Sequence, residues 1–209
     1  MWDRSFKLND SIYNIMRRHK IKFPKIATLF LLIKDEGPVG RYKIADELEL
    51  PEGITRGTLS HLKNLGIVQV TKKGVKLTDI GINILSEIFE KTGIKSIRNF
   101  NFDFMNLDRC CAIAQLSRRK NFNVLTLRDK AVRAGASSCI LISYERGKLV
   151  IPKVYKDFST LFPPLARKLS KEFPLAEGDL LVSAFASTIW KSKEAVMSAV
   201  IDDSIYPIL

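Results

Sequence analysis

One run of the sequence, residues 42–78, constrains the fold of this chain more than any other part. Residues 42–48 carry apolar side chains at helical spacing, and the sequence ELPEG interrupts that pattern directly afterwards. Pro51 suits the first turn of a new helix, where its missing N–H has no hydrogen bond to make. A second helix is predicted from about Ile54, with leucines three residues apart facing inward. It should end at Gly66, because glycine readily adopts the left-handed conformation of a helix C-terminus.

A basic hairpin completes the run. The apolar segments 67–70 and 75–77 flank a Lys72-Lys73-Gly74 turn, which predicts two short antiparallel strands. Two helices joined by a tight turn and followed by a two-stranded basic wing make a winged helix-turn-helix. The sequences TLSHL and LGIV, and the LTDIG that follows the wing, resemble the winged-helix domains of prokaryotic transcriptional regulators. With its C-terminal half, the chain also resembles an archaeal family whose second domain has no assigned function.

The second helix of this pattern is the predicted DNA reader, because a helix fits the major groove of double-stranded DNA. Arg56 is the predicted base reader, since a guanidinium can bind both acceptors of guanine. The lysines around the wing tip are predicted to attract phosphate or to enter the minor groove. The competing interpretation is a solvent-exposed surface on a winged domain that binds proteins. The predicted DNA-binding residues are Arg56, Thr58, Ser60, His61, Lys63, Lys72, Lys73 and Lys76.

The composition agrees with a polyanionic partner. The 209-residue chain has a net charge of +12, which favours nucleic acids through counterion release. No apolar run approaches the ~20 residues of a membrane span, and the N-terminus lacks the apolar core of a signal peptide. The sequence therefore predicts a cytoplasmic protein without membrane contact. Three cysteines in apolar surroundings are predicted to be reduced and buried.

The fold class predicted for the whole chain is α+β. Residues 1–92 are predicted to form the winged helix-turn-helix domain with an additional N-terminal helix, and 93–108 a linker. Residues 109–209 show the order β-α-β-β-α-β-α, which predicts a small α/β sandwich with a ferredoxin-like split βαβ arrangement and a terminal helix.

The sequence offers little for catalysis. Its two histidines, His19 and His61, both lie in the predicted DNA-binding half, and no phosphate-binding loop, dinucleotide fingerprint or hydrolase motif occurs. We therefore predict no catalytic residue, metal or cofactor, and no enzymatic activity. Glu177 and Asp179 flank Gly178 in what the pattern predicts to be a solvated turn, with cation binding as the less favoured alternative.

The C-terminal domain is predicted to dimerise or to sense a small-molecule effector. Dimerisation would place two recognition helices on a two-fold-symmetric site. An anionic effector would find cations on the first helix of the domain, although a solvated basic helix face is the favoured explanation for them. These candidate ligand-binding residues are Arg128, Lys130 and Arg133. The predicted function is a homodimeric DNA-binding transcriptional regulator, with a protein-interaction module or a cryptic enzyme with an accessory winged domain as alternatives.

Overall fold

The computed structural model describes residues 12–101, 107–117, 123–152, 154 and 157–201. Their contacts divide them into an N-terminal unit, made of the residues up to Lys91 together with Ile201, and a C-terminal unit that spans Thr92–Val200. Parts of the predicted domains, at both termini and within the predicted linker, lie outside the described residues.

The N-terminal unit consists of helices and one hairpin. The helices are α1 (12–19), α2 (Phe23–Glu36), α3 (Arg41–Glu47), α4 (Glu52–Asn64) and α5 (Asp79–Thr92), and the strands are β1 (Val68–Thr71) and β2 (Gly74–Leu77). Helices α3 and α4 and the hairpin occur in the predicted order. Gly66 has a φ of +72° and follows α4 by two residues, as its predicted role in ending that helix requires.

Polar contacts fix the helix-turn-helix. The Lys25 ammonium donates to the Leu48 carbonyl at 2.8 Å, which ties α2 to the C-terminal end of α3. Arg41 at the start of α3 forms a 3.0 Å ion pair with Glu52 in the first turn of α4. A carboxylate at that position also complements the positive end of the helix dipole. Helix α3 is therefore tied to α2 at its C-terminal end and to α4 at its N-terminal end.

The hairpin gains a third, very short strand. Val39 and Val75 exchange backbone hydrogen bonds, with N···O distances of 2.9 and 2.8 Å. Within the hairpin, Thr71 pairs with Gly74, so only Lys72 and Lys73 form the loop. Gly74 has a φ of +132°, and a Cβ at this position would lie 2.7 Å from the Val39 carbonyl carbon and oxygen. Glycine is required here for both reasons.

The C-terminal unit is a five-stranded antiparallel sheet with helices. Its elements are β3 (Ile94–Phe100), β4 (Cys110–Leu116), α6 (Val124–Arg133), β5 (Ser138–Glu145), β6 (Lys148–Val150), α7 (Phe158–Leu161), α8 (Pro163–Glu172), β7 (Leu180–Ala186) and α9 (Ile189–Val200). The strand order is β3-β4-β7-β5-β6. Helices α7 and α8 pack with alternate residues of the central strands, while α6 and α9 pack together and contact β5 and β4 respectively.

These elements confirm the α+β class but correct the ferredoxin-like detail. Strands β4 and β5 are both antiparallel to β7 and therefore parallel to each other, so a split βαβ unit is present. The strand inserted between them is β7, however, whereas a ferredoxin-like sheet would place β6 there. All seven residues of β7 are buried, but β6 has three residues, one of them exposed. A continuous apolar strand belongs at the sheet centre, where both of its faces are covered.

Two further interpretations need correction. Residues 94–100, assigned to the linker, form the edge strand β3, which pairs with β4 along its length. Asp179, assigned to a solvated turn, is 2% exposed. Its carboxylate accepts hydrogen bonds from the Lys95 ammonium at 2.7 Å, the Gln115 amide at 2.7 Å and the Ala176 N–H at 3.0 Å. Its partners lie on β3, β4 and the preceding loop, so a pattern within its own segment cannot reveal them.

Candidate nucleic-acid interface

Helix α4 presents one polar face to solvent. Arg56, Ser60 and Lys63 are exposed, and their spacing of four and three residues puts them on the same side of the helix. The opposite side is buried through Thr55, Thr58, Leu59 and Leu62. Three of the five residues predicted on this helix therefore form one continuous surface.

Thr58 does not belong to that surface. Its side chain is 1% exposed, and its hydroxyl has no hydrogen-bond partner among the described residues. Its spacing from Thr55 and Leu62 is three and four residues, which places it in the row that packs inward. The prediction that Thr58 contacts DNA is wrong, because a polar side chain does not by itself mark the outer face of a helix.

His61 is turned toward α1 rather than toward the exposed face. Its Nδ1 lies 2.8 Å from the Gly57 carbonyl oxygen, which can only accept, so Nδ1 carries the proton. Its Nε2 then accepts from the Arg18 guanidinium at 3.2 Å. The His19 Nε2 lies 3.3 Å from the His61 Nδ1, and the two rings meet edge to face with centroids 5.3 Å apart. His61 thus joins α1 to α4 and is half-buried, and its predicted contact with DNA stays a prediction.

The environment of His19 disfavours its charged form. Burial lowers the pKa of His19, and the neighbouring His61 and Arg18 lower it further. The geometry gives the same result, because a proton on the His19 Nε2 would oppose the N–H of His61. This polar cluster between α1 and α4 was not predicted from the sequence. Its signal was Gly57, an unexpected glycine inside a helix, where a Cβ would lie 2.6 Å from the His19 ring.

The wing carries the second group of cations. Lys72 and Lys73 are exposed in the hairpin loop, and Lys76 is exposed on β2, next to the buried Val75. The Thr71 hydroxyl donates to the Gly74 carbonyl at 2.8 Å and accepts from the Lys73 N–H at 3.2 Å. These bonds fix the loop conformation, so the lysines project from a defined support.

Comparisons with known proteins agree with this geometry. Residues 28–91 match the family model described as the CggR N-terminal DNA binding domain. The N-terminal unit carries a DNA-binding domain. The matched segment begins within α2 and ends within α5, so it includes α4 and the wing but not α1. The histidine contact between α1 and α4 therefore involves a helix outside the matched part of the DNA-binding domain.

The C-terminal half matches a family without an assigned role. Residues 106–203 match the model of a domain of unknown function, DUF4443. A solved structure of a hypothetical protein from Pyrococcus horikoshii OT3 is similar to this chain, with a TM-score of 0.67 and 23% sequence identity over 85% of this chain and 89% of the other. That similarity establishes the fold. A search of curated proteins found no match.

Where the structure describes the chain, no carboxylate neutralises the cations predicted to contact DNA. Within the described part of the chain, none of Arg56, Lys63, Lys72, Lys73 and Lys76 forms an ion pair. Elsewhere in the same unit, by contrast, Lys43 lies 2.6 Å from Glu36. The unpaired cations supply the positive potential that phosphate contacts require.

The predicted ligand-binding residues of the C-terminal unit separate in the structure. Arg128 lines a cavity of about 800 Å³, whereas Lys130 and Arg133 are not among its lining residues. The three cations therefore do not form one anion site. Among the described residues, no cluster of three histidine, cysteine or acidic side chains is arranged to hold a metal ion, and no helix is long and apolar enough to cross a membrane.

Proposed function

We propose that this protein is a DNA-binding transcriptional regulator that docks α4 in the major groove and the wing beside it. Arg56 and Ser60 reach base edges, Lys63 contacts the backbone, and the lysines of the wing bind phosphate. The observation that carries this proposal is the row of exposed cations on α4 and the wing, none of them ion-paired with a residue that the structure describes, within a segment that matches a DNA-binding domain. Thr58 and His61 are left out of the proposed contacts because their side chains face the interior and α1.

The first test is selection of bound fragments from sheared DNA of the source organism at low and near-physiological salt. A specific regulator retains a few fragments that share a motif at the higher salt. Replacing Arg56 with alanine should then weaken binding to that motif by roughly 1–3 kcal/mol, with a smaller loss on unrelated DNA. Arg98→Ala is the matched control, because it removes an equally exposed cation from β3. An equal loss on all DNA would make Arg56 a phosphate contact.

The wing is tested by the salt dependence of binding. The double variant Lys72→Ala/Lys73→Ala should reduce the slope of log K against log salt by about 1.8, since each phosphate contact contributes about 0.9. An unchanged slope would mean that Lys72 and Lys73 do not contact DNA phosphates.

The C-terminal unit is proposed to dimerise the protein, to sense an effector, or both. A dimer would present two copies of α4 to a symmetric site, and light scattering of the full chain at several concentrations measures this directly. We also propose that the protein is not an enzyme, is cytoplasmic and is of the archaeal type. A DNA partner supports the cytoplasmic location, and the likeness to the Pyrococcus horikoshii structure supports the archaeal type.

One observation favours a protein partner as a second candidate. Ile80 and Ile82, at the start of α5, are 48% and 43% exposed. Apolar side chains exposed on a helix next to the wing suit a protein contact, either with a second copy or with another protein. If no DNA is retained at either salt concentration, this protein-interaction role replaces the regulator.

A further inference from the structure

The C-terminal unit contains a cavity of about 800 Å³ that has no assigned role. Its described lining comes from four places: Leu107, the N-terminal end of α6, Ser138–Leu141 in the first half of β5, and residues 151, 152 and 154 after β6. This volume falls in the range of small-molecule sites, roughly 300–1,000 Å³. The cavity therefore has room for a complete small ligand.

The cavity exists because β6 is short. It pairs only with Ser143–Glu145, so the preceding part of β5 has no partner strand on that side among the described residues. Apolar side chains collect there instead of a strand. Leu125 is 60% exposed and Val154 64% exposed, and both line the cavity. Such exposure of large aliphatic side chains at a concave site is typical of a ligand-binding surface.

Two polar groups in the cavity lack partners. Arg128 is exposed and forms no ion pair with any described carboxylate, and the buried Ser138 hydroxyl has no hydrogen-bond partner among the described residues. Of the other polar groups, the Asn123 side-chain oxygen caps α6, and burial raises the pKa of the Cys139 thiol to about 12. It is therefore a neutral thiol at physiological pH and does not neutralise Arg128. The Arg128 guanidinium is therefore available to a ligand, whereas the Ser138 hydroxyl oxygen is too buried to be reached from the cavity.

We propose that this cavity binds a small amphipathic monocarboxylate. Its carboxylate pairs with the Arg128 guanidinium, while its apolar body contacts Leu125, Ile140 and Ile151. The proposal rests on the effector-sensing role proposed for this unit, and it names the ligand class of that role.

The charge count selects this class over other anions. Arg128 is the one lysine or arginine among the described residues that line the cavity, and the remaining lining is mainly aliphatic. A phosphate ester or a dicarboxylate would bring a second negative charge into an apolar site, where it would stay uncompensated. A single carboxylate matches a planar guanidinium, which binds it through two parallel hydrogen bonds.

Calorimetric titration of the full-length protein tests the proposal with three probes: octanoate, octylammonium and inorganic phosphate. Octanoate should bind at least about tenfold more tightly than octylammonium, because one charge-assisted hydrogen bond accounts for such a ratio. Phosphate should show no binding. Arg128→Gln should abolish the preference for octanoate. Arg133→Gln is the matched control, because it removes an exposed arginine of the same helix that does not line the cavity, and it should keep the preference.

Three results would overturn the proposal: no octanoate binding up to millimolar concentration, equal binding of octanoate and octylammonium, or equal losses in the two variants. DNA retention is measured on the same preparation. If DNA binding is lost while octanoate binding and its Arg128 dependence are intact, the regulator function is wrong and the cavity assignment stands. If DNA binding is retained and octanoate does not bind, the cavity assignment is wrong and the regulator function stands.

Discussion

Replacing Gly74 with alanine should selectively destabilise the wing. The new Cβ would lie 2.7 Å from the Val39 carbonyl carbon and oxygen and 2.9 Å from its nitrogen, and backbone atoms cannot rotate away as a side chain can. The φ of +132° adds strain of about 1–3 kcal/mol for a residue other than glycine. If the strands separate to relieve the clash, the two Val39–Val75 hydrogen bonds are lost, at about 0.5–1.5 kcal/mol each. The expected total is roughly 2–6 kcal/mol.

Hydrogen exchange measures this effect locally, which matters because a chain of two units need not unfold in one step. The amides of Val39 and Val75 should exchange at least roughly 30-fold faster in Gly74→Ala, the factor for the lower end of that range. Strand β4 of the C-terminal unit is the internal reference and should not change. Gly53→Ala is the matched control, because a Cβ there meets nothing within 4 Å and alanine favours a helix. Unchanged protection of both valine amides in Gly74→Ala would refute the steric argument.

Three shorter predictions follow from individual side chains. Thr58→Val should leave DNA affinity unchanged. It should leave the free energy of unfolding equal or raise it by up to about 1 kcal/mol, since it removes a buried hydroxyl that has no partner among the described residues. Weaker DNA binding would contradict the burial of Thr58. The pKa of His19 is lower in the folded protein, so the unfolded chain takes up this proton at a higher pH. The N-terminal unit should therefore lose stability as the pH falls below about 6.5. Hydrogen exchange of α1 and α4 should show this loss in the wild type and less of it in His19→Gln. Asp179→Asn should lower the free energy of unfolding of the C-terminal unit by roughly 3–5 kcal/mol in urea denaturation, and Lys95→Met should cost less because the Lys95 side chain is 36% exposed.

The Asp179 prediction depends on the direction of its hydrogen bonds. The partners on Lys95, Gln115 and Ala176 all donate. An asparagine would turn its amide group toward at least one of these donors, whichever way it is oriented, because both carboxylate oxygens are in use. The substitution therefore removes the ion pair and also opposes at least the Lys95 donor, which bonds to both carboxylate oxygens. A loss no larger than that of Lys95→Met would refute this account.

Local patterns were sufficient to predict the helix-turn-helix and the wing. The leucine spacing of α4 and the glycine after it depend on neighbours within a few residues, and so does the basic loop between β1 and β2. The same patterns did not predict the orientation of the Thr58 and His61 side chains, which depends on packing against other elements. Thr58 is buried because it lies on the same side of α4 as Thr55 and Leu62. His61 points toward α1 because its partners there, Arg18 and His19, lie 43 and 42 residues away in the sequence.

The C-terminal sheet shows the same limit at larger scale. The strands were recognisable from their apolar runs, but their order depends on which strand has both faces covered. The uninterrupted burial of β7 favours the centre, and the brevity of β6 favours an edge. Strand β3 was assigned to a linker because four of its seven residues are charged or polar, and its pairing with β4 supplies the hydrogen bonds that a linker would make to water.

The distribution of partners among the cations links the fold to the proposed functions. Lys43 and Lys95 each lie within 2.7 Å of a carboxylate oxygen, and each holds two elements of its own unit together. Arg56, the wing lysines and Arg128 have no such carboxylate among the described residues. A cation in an ion pair is already partly neutralised and attracts an anionic ligand only weakly. An unpaired cation on a rigid element breaks no internal ion pair when it binds an anion. Of the cations that give the net charge of +12, those without a carboxylate partner among the described residues are therefore the best indicators of function. They favour phosphate at the wing and α4, and a carboxylate at Arg128.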